Sequence, residues 1–259
     1  MRILKSICIA IRTYSIFPIP NFTWTKENMK YSLSMFPLVG LGIGGFMLFW
    51  HWLSTVLCID KILFAAVAVV IPIILTGGIH MDGFCDTVDA IASHREMSRK
   101  LEIMKDTHVG AFAVIYAAVY IILCFGLYAS IFTASSIPII GIGFIFSRAL
   151  TVSAVATIKN ARGEGMLAAF TDHISRRISW IITILFFLIS AVGFFFINLI
   201  IGSICIFFCG AWFFIYRRFT LKQFGGITGD TVGFFQQITE LLILICALIG
   251  VLIERLLYI

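Results

Sequence analysis

Three aspartates in one short segment are the residues most able to do chemistry. In Gly77-Gly78-Ile79-His80-Met81-Asp82-Gly83-Phe84-Cys85-Asp86-Thr87-Val88-Asp89 the acidic residues recur at spacings of four and three. On a helix, at about 100° per residue, those carboxylates fall within a narrow arc, and Phe84, Val88 and Ile91 take the opposite face. Carboxylates that close repel unless a cation neutralises them. Hard oxygen donors suit Mg²⁺, above all where a substrate's phosphates complete its shell. The competing reading is a solvated helix face. Such faces usually mix Glu, Lys and Gln, whereas this one is all Asp, a poor helix former. The composition favours Asp82, Asp86 and Asp89 as metal ligands.

Other polar groups gather in the same kind of setting. His80 precedes the aspartates, and Asp106 and His108 stand just ahead of Gly110; each can be a base, a ligand or a cap. In Ala161-Arg162-Gly163-Glu164-Gly165 an arginine between small residues can fork onto a phosphate, or simply turn the chain at a helix end. Gly225-Gly226-Ile227-Thr228-Gly229-Asp230-Thr231-Val232-Gly233 leads straight into an apolar run. Its backbone N–H groups can cradle an anion, and Thr228 or Asp230 can equally be an N-cap. Arg148 and Glu240 lie inside apolar runs, roughly 15 Å deep by helical rise. Each needs the other, or a wet cavity walled by Gln236 and Gln237, to offset its burial in lipid.

The elements that position these groups are membrane helices. Of the 259 residues, 61% are hydrophobic and 12% charged, against about 25% charged in an average soluble domain. Seven stretches approach the roughly 20 apolar residues a crossing needs. They are Phe36–Ile59, Ile62–Thr76, Gly110–Ala134, Ile137–Ile158, Ile178–Asn198, Leu199–Tyr216 and Thr231–Ile253. The fifth and sixth form one block that a turn near Asn198 must divide. The expectation is an all-α polytopic bundle, residues 1–259 as one integral membrane domain. Ile3, Leu4, Ile7 and Ile11 share one face and Arg2, Lys5 and Arg12 another, which predicts an N-terminal interfacial amphipathic helix. The seven cysteines lack ligand spacing and read as small core hydrophobes.

Of the 19 Lys and Arg, all but Lys61, Arg255 and the intramembrane Arg148 fall on the side of the N-terminus and of loops 77–109, 159–177 and 217–230. The positive-inside rule makes that side cytoplasmic, in a cell membrane, and makes those loops the active face. The net charge of +6 therefore reflects topology, with no platform for nucleic acid. The chain's surroundings are membrane lipid, and its composition is compatible with a homo-oligomer.

Taken in order, these motifs resemble those of the cobalamin synthase family, the adenosylcobinamide-GDP ribazoletransferases. The resemblance rests on Gly77 through Asp89, Met104-Lys105-Asp106-Thr107-His108-Val109-Gly110, Phe146-Ser147-Arg148, Ala161 through Gly165 and Gly225 through Asp230. Phe17-Pro18-Ile19-Pro20 and Phe36-Pro37-Leu38-Val39-Gly40 add to it. It implies a membrane-embedded, Mg²⁺-dependent enzyme that transfers cobinamide phosphate from its GDP-activated form to α-ribazole or its 5′-phosphate, releasing GMP. On that footing Mg²⁺ on Asp82, Asp86 and Asp89 bridges the pyrophosphate. Arg162 and Arg148 hold phosphate oxygens, and Asp106 or Asp230 takes the proton of the attacking hydroxyl. His80, Glu240 and the Gly225, Gly226 and Thr228 loop complete the candidate substrate-binding set. Two rivals stand beside this reading. A CDP-alcohol phosphotransferase also uses spaced aspartates, but carries Ala-Arg soon after its first Asp-Gly, where this chain has Phe84-Cys85. A transporter needs polar groups along the whole crossing and matched repeats, and none is visible here.

Overall fold

In lipid a spanning segment satisfies its backbone internally, so the long apolar runs fold as helices. The computed structural model describes residues 2–132, 136–163, 167 and 176–257, an all-α polytopic bundle. The elements are α1 (Arg2–Tyr14), α2 (Lys26–Met29), α3 (Phe36–Val56), α4 (Lys61–Leu75), α5 (Ile79–Ala92) and α6 (Met97–Ile103). Then follow α7 (Ala111–Ser130), α8 (Ser136–Thr157), α9 (Arg176–Ile197), α10 (Leu199–Phe224) and α11 (Gly229–Leu257).

Six helices, α3, α7, α8, α9, α10 and α11, are long and apolar enough to cross a membrane. The expected second crossing keeps its bounds, and the pair it forms with the next helix counts as a seventh span when the two are taken as one. Its helix α4 ends after 15 residues, about 22 Å of rise and short of a hydrocarbon core of roughly 30 Å. Gly77 and Gly78, both at positive φ, then turn the chain by 91° into α5. The aspartate segment is thus helical, as its spacing predicts, and lies at the basic rim beyond the six spanning helices. The division at Asn198 is where the sequence puts it: its Oδ1 accepts from the Ile201 N–H at 2.9 Å and starts α10. α1 lies against the bundle through Ser6, Ile9 and Ala10 and leaves Ile3 and Leu4 exposed. That is the orientation an interfacial helix needs.

α8 is the central post, buried on nearly every side, and α3 packs closest to it. Small residues permit this approach, since lipid supplies no hydrophobic drive between helices and van der Waals contact must do the work. A Cβ on Gly44 would stand 2.4 Å from the Gly141 carbonyl oxygen, and one on Gly40 2.3 Å from that of Phe144. The neighbouring Gly45 faces open space. Gly44→Ala should therefore force α3 off α8 and cost about 1–3 kcal/mol, as overpacking does. Gly45→Ala should be neutral or gain up to about 1 kcal/mol from helix propensity. Thermal unfolding of the two variants in one detergent checks the contrast.

Candidate functional site

The site forms where α5 crosses the start of α11. Gly83 and Gly233 let the two backbones touch: a Cβ on Gly83 would lie 2.8 Å from the Asp230 carbonyl oxygen, and one on Gly233 3.0 Å from that of His80. This contact sets Asp82 and Asp86 beside Asp230. Burial, then the charges of Asp82 and Asp230, push the Asp86 carboxyl up to about 7, and Arg162 only partly opposes them.

The two remaining basic-side loops are laced together. Ala161 N–H donates to the Ile227 carbonyl at 2.8 Å and Ile227 N–H to that of Lys159 at 2.9 Å. Gly226 must be glycine here, because a Cβ would meet the Lys159 oxygen at 2.4 Å. Gly225, at φ +74°, ends α10. Asn160 Oδ1 accepts from the N–H groups of Arg162 and Gly163, at 3.0 and 3.2 Å, and fixes the turn that carries the arginine. Arg162 then donates to Asp230 Oδ2 at 3.3 Å and to the Leu101 carbonyl at 3.1 Å, while its Nε has no partner. Glu164 and Gly165 of that motif lie outside the described residues.

Several expectations change. Asp89 points along α5 to the start of α7, where its two oxygens accept from Gly110 N–H at 2.7 Å and Ala113 N–H at 2.8 Å. It caps a helix that has no side-chain cap of its own, and Gly110 leaves room for it, since a Cβ there would fall 2.6 Å from that carboxylate. Asp106 is exposed, bonded at 2.7 Å to the still more exposed His108, and takes no part in the cavity wall. The glycine loop is less of an anion cradle than its composition suggests. Ile227 N–H is used by Lys159, and Thr228 and Thr231 cap each other reciprocally, at 2.8 and 3.2 Å.

Beneath the rim, Arg148 and Glu240 do meet. Nη1 stands 2.8 Å from Oε1, with Arg148 fully buried. The same Nη1 donates to the Phe144 carbonyl, and Gln236 Nε2 donates to both Glu240 and Ser147. Phe36 and Phe144 present their ring faces to the guanidinium at 5.5 and 5.6 Å. These contacts tie the arginine's Nη1 to the bundle, while its buried Nε has no partner. Between this network and the rim lies a cavity of about 180 Å³, walled by Tyr14, Leu33, Phe36, His80, Thr151 and Val155 and bordered by Asp82 and Asp230. Sequence reasoning missed Tyr14 and Phe36 as walls and Asn160 as the turn-former. Only the last left a signal, an Asn-Ala-Arg-Gly turn composition.

Among the described residues no three His, Cys, Asp or Glu side chains form a ready-made cation site. The donors nonetheless fit a divalent cation that arrives with a substrate. Asp82 and Asp86 are hard ligands whose mutual repulsion such a charge would relieve, with phosphate oxygens filling the shell.

Comparison with known proteins gives a consistent result. The profile of the cobalamin-5-phosphate synthase family matches residues 6–248. An adenosylcobinamide-GDP ribazoletransferase of Lachnoclostridium phytofermentans is 38% identical over 93% of this chain and 92% of its own. Proteins of the same name from Desulfitobacterium hafniense and Clostridium perfringens are 32% and 29% identical over 94% and 91% of this chain, and 96% and 94% of theirs. No solved structure matches.

Two stability outcomes follow from this geometry. Asp89→Ala should cost about 0.5–2 kcal/mol through loss of the α7 cap, whereas Asp82→Asn, which relieves repulsion, should unfold at or above the wild-type temperature. Glu240→Leu alone should cost on the order of 3–5 kcal/mol by stranding Arg148, and much of that should return in the double variant Arg148→Met, Glu240→Leu. Thermal melts of the four variants decide both.

Proposed function

This chain belongs to the cobalamin-5-phosphate synthase family, and on that premise we propose that it is an adenosylcobinamide-GDP ribazoletransferase working from the basic face of its bundle. It joins adenosylcobinamide-GDP to α-ribazole, or to its 5′-phosphate, and GMP leaves. The observation that carries the reading is convergence. Motifs separated by nearly 150 residues of chain, from Asp82 to Asp230, meet at one cavity, in a protein aligned with so-named relatives over nine-tenths of its length.

We assign the chemistry as follows. Asp82 and Asp86 would hold Mg²⁺, which when bound neutralises charge on the pyrophosphate and on departing GMP. Arg162, restrained by Asp230 and the Leu101 carbonyl, is held by the Asn160 turn and offers its unpartnered Nε to a phosphate oxygen. Asp230 borders the cavity and takes the proton from the attacking ribose hydroxyl. Asp106, exposed and tied to His108, is left without a role in proton transfer. The rest of the catalysis is positioning and electrostatics, as phosphoryl transfer requires. The positive-inside distribution supports a cytoplasmic placement of this face.

Purified protein in nanodiscs with Mg²⁺ should release GMP only when both substrates are present, and EDTA should stop the release. Asp82→Asn and Asp86→Asn should each lower kcat by about 10²-fold or more through lost charge stabilisation. No GMP from folded protein with both substrates present overturns the assignment. CMP released from a CDP-alcohol by the same preparation establishes a CDP-alcohol phosphotransferase instead.

A further inference from the structure

We propose that the cavity under the acidic rim is the seat of the flat heteroaromatic base of the acceptor nucleoside, with His80 as its hydrogen-bonding partner. The proposal rests on the transferase reading above and assigns one part of one substrate to one place. Its first support is an unsatisfied group. His80 is 5% exposed and lines the cavity, and its Nε2 has no hydrogen-bond partner. A buried polar atom left unpaired is costly, so a native structure that keeps one calls for a partner that is absent from the protein itself.

The second support is the character of the walls. The Tyr14 and His80 rings are nearly parallel, 19° apart with centroids 6.4 Å apart, and Phe36 stands 4.6 Å from one and 5.5 Å from the other. Leu33, Val155 and Val232 complete an apolar, aromatic enclosure of the kind that stacks a base. At about 180 Å³ it is smaller than the roughly 300 Å³ and upward of a whole-ligand pocket, so it takes a fused ring and not a nucleotide or a corrinoid. The inner walls offer little to read polar edges. The Thr151 hydroxyl is already bonded to Gln236 and to the Ser147 carbonyl. Guanine would bury several unpaired donors and acceptors there, at about 1–3 kcal/mol each. A mostly apolar bicyclic base with one ring nitrogen left free beside its glycosidic nitrogen needs a single partner, and His80 is that partner. With the base seated inward, the nucleoside's sugar lies toward Asp82 and Asp230 at the border, where the hydroxyl must react.

The test uses the full-length protein in nanodiscs, with His80→Ala, the more conservative His80→Gln, and Val155→Phe to fill the chamber. GMP release measured against each substrate in turn should show His80→Ala raising KM for α-ribazole about tenfold, one buried hydrogen bond's worth, with KM for adenosylcobinamide-GDP within about twofold. His80→Gln should recover part of the loss. Equilibrium dialysis should show α-ribazole bound by wild type and lost from Val155→Phe, while adenosylcobinamide-GDP, still bound, shows that variant to be folded. A rise in KM for adenosylcobinamide-GDP instead, or no change in either KM, overturns the assignment of the chamber. Wild-type protein that binds α-ribazole through His80 yet releases no GMP overturns the transferase reading and leaves the base seat standing.

Discussion

The rim of this protein depends on two helix backbones being in contact. Packed helices ordinarily stand 8–10 Å apart because side chains intervene. At the α5–α11 crossing none does, since Gly83 faces the Asp230 backbone and Gly233 faces that of His80. A carboxylate side chain is short, so carboxylates from two helices can share a site only if the helices approach this closely. The same device recurs one loop away, where Gly226 lies on Lys159 and the bridge from Ala161 to Ile227 fixes the turn of Arg162 relative to Asp230. Glycine is expensive in a helix, and these positions pair that expense with the placement of charge.

The buried Arg148–Glu240 pair addresses a different problem. Two well-packed apolar residues would hold α8 to α11 at least as well, because desolvating two charges consumes most of what their attraction returns. An ion pair adds registry. Arg148 has five donors and accepts few alternative partners in hydrocarbon, so sliding α8 along α11 by a turn would strand two charges. Gln236, bridging Ser147 and Glu240, narrows the choice further. The registry matters because α8 carries Thr151 and Val155 to the chamber and α11 carries Asp230 to its border.

Much of this was legible in the sequence, for a physical reason. Lipid allows so few backbone solutions that apolar length and basic loops nearly dictate a bundle, and the break at Asn198 and the depth of Arg148 and Glu240 follow from counting residues. The residues in doubt were those whose role depends on a partner from elsewhere in the chain. Helical periodicity groups Asp89 with Asp82 and Asp86, and it cannot reveal that α7 begins beneath that carboxylate. Gly110 carried the information, but a glycine before a span reads as punctuation until the group it makes room for is known. Asp106 is the converse case: a carboxylate in a suggestive place, fully explained by the His108 two residues on. The α4–α5 corner was visible as Gly77-Gly78, and only its angle was not.

The three aspartates of α5 show how one helix face can be divided between stability and chemistry. Asp89 is satisfied by two N–H donors and adds to the favourable field at the start of α7. Asp82 is exposed to solvent, and Asp86 is half-buried between it and Asp230, where its charge is hardest to keep. The face therefore grades, over two helical turns, from a carboxylate at rest to one under electrostatic tension. A fold stable without its substrates can hold that tension because the capped end anchors α5 while the glycine contact pins its first turn. Those two attachments, one polar and one steric, keep Asp82 and Asp86 facing each other when repulsion alone would drive them apart. That arrangement leaves relief of the repulsion to whatever cation and phosphate enter together.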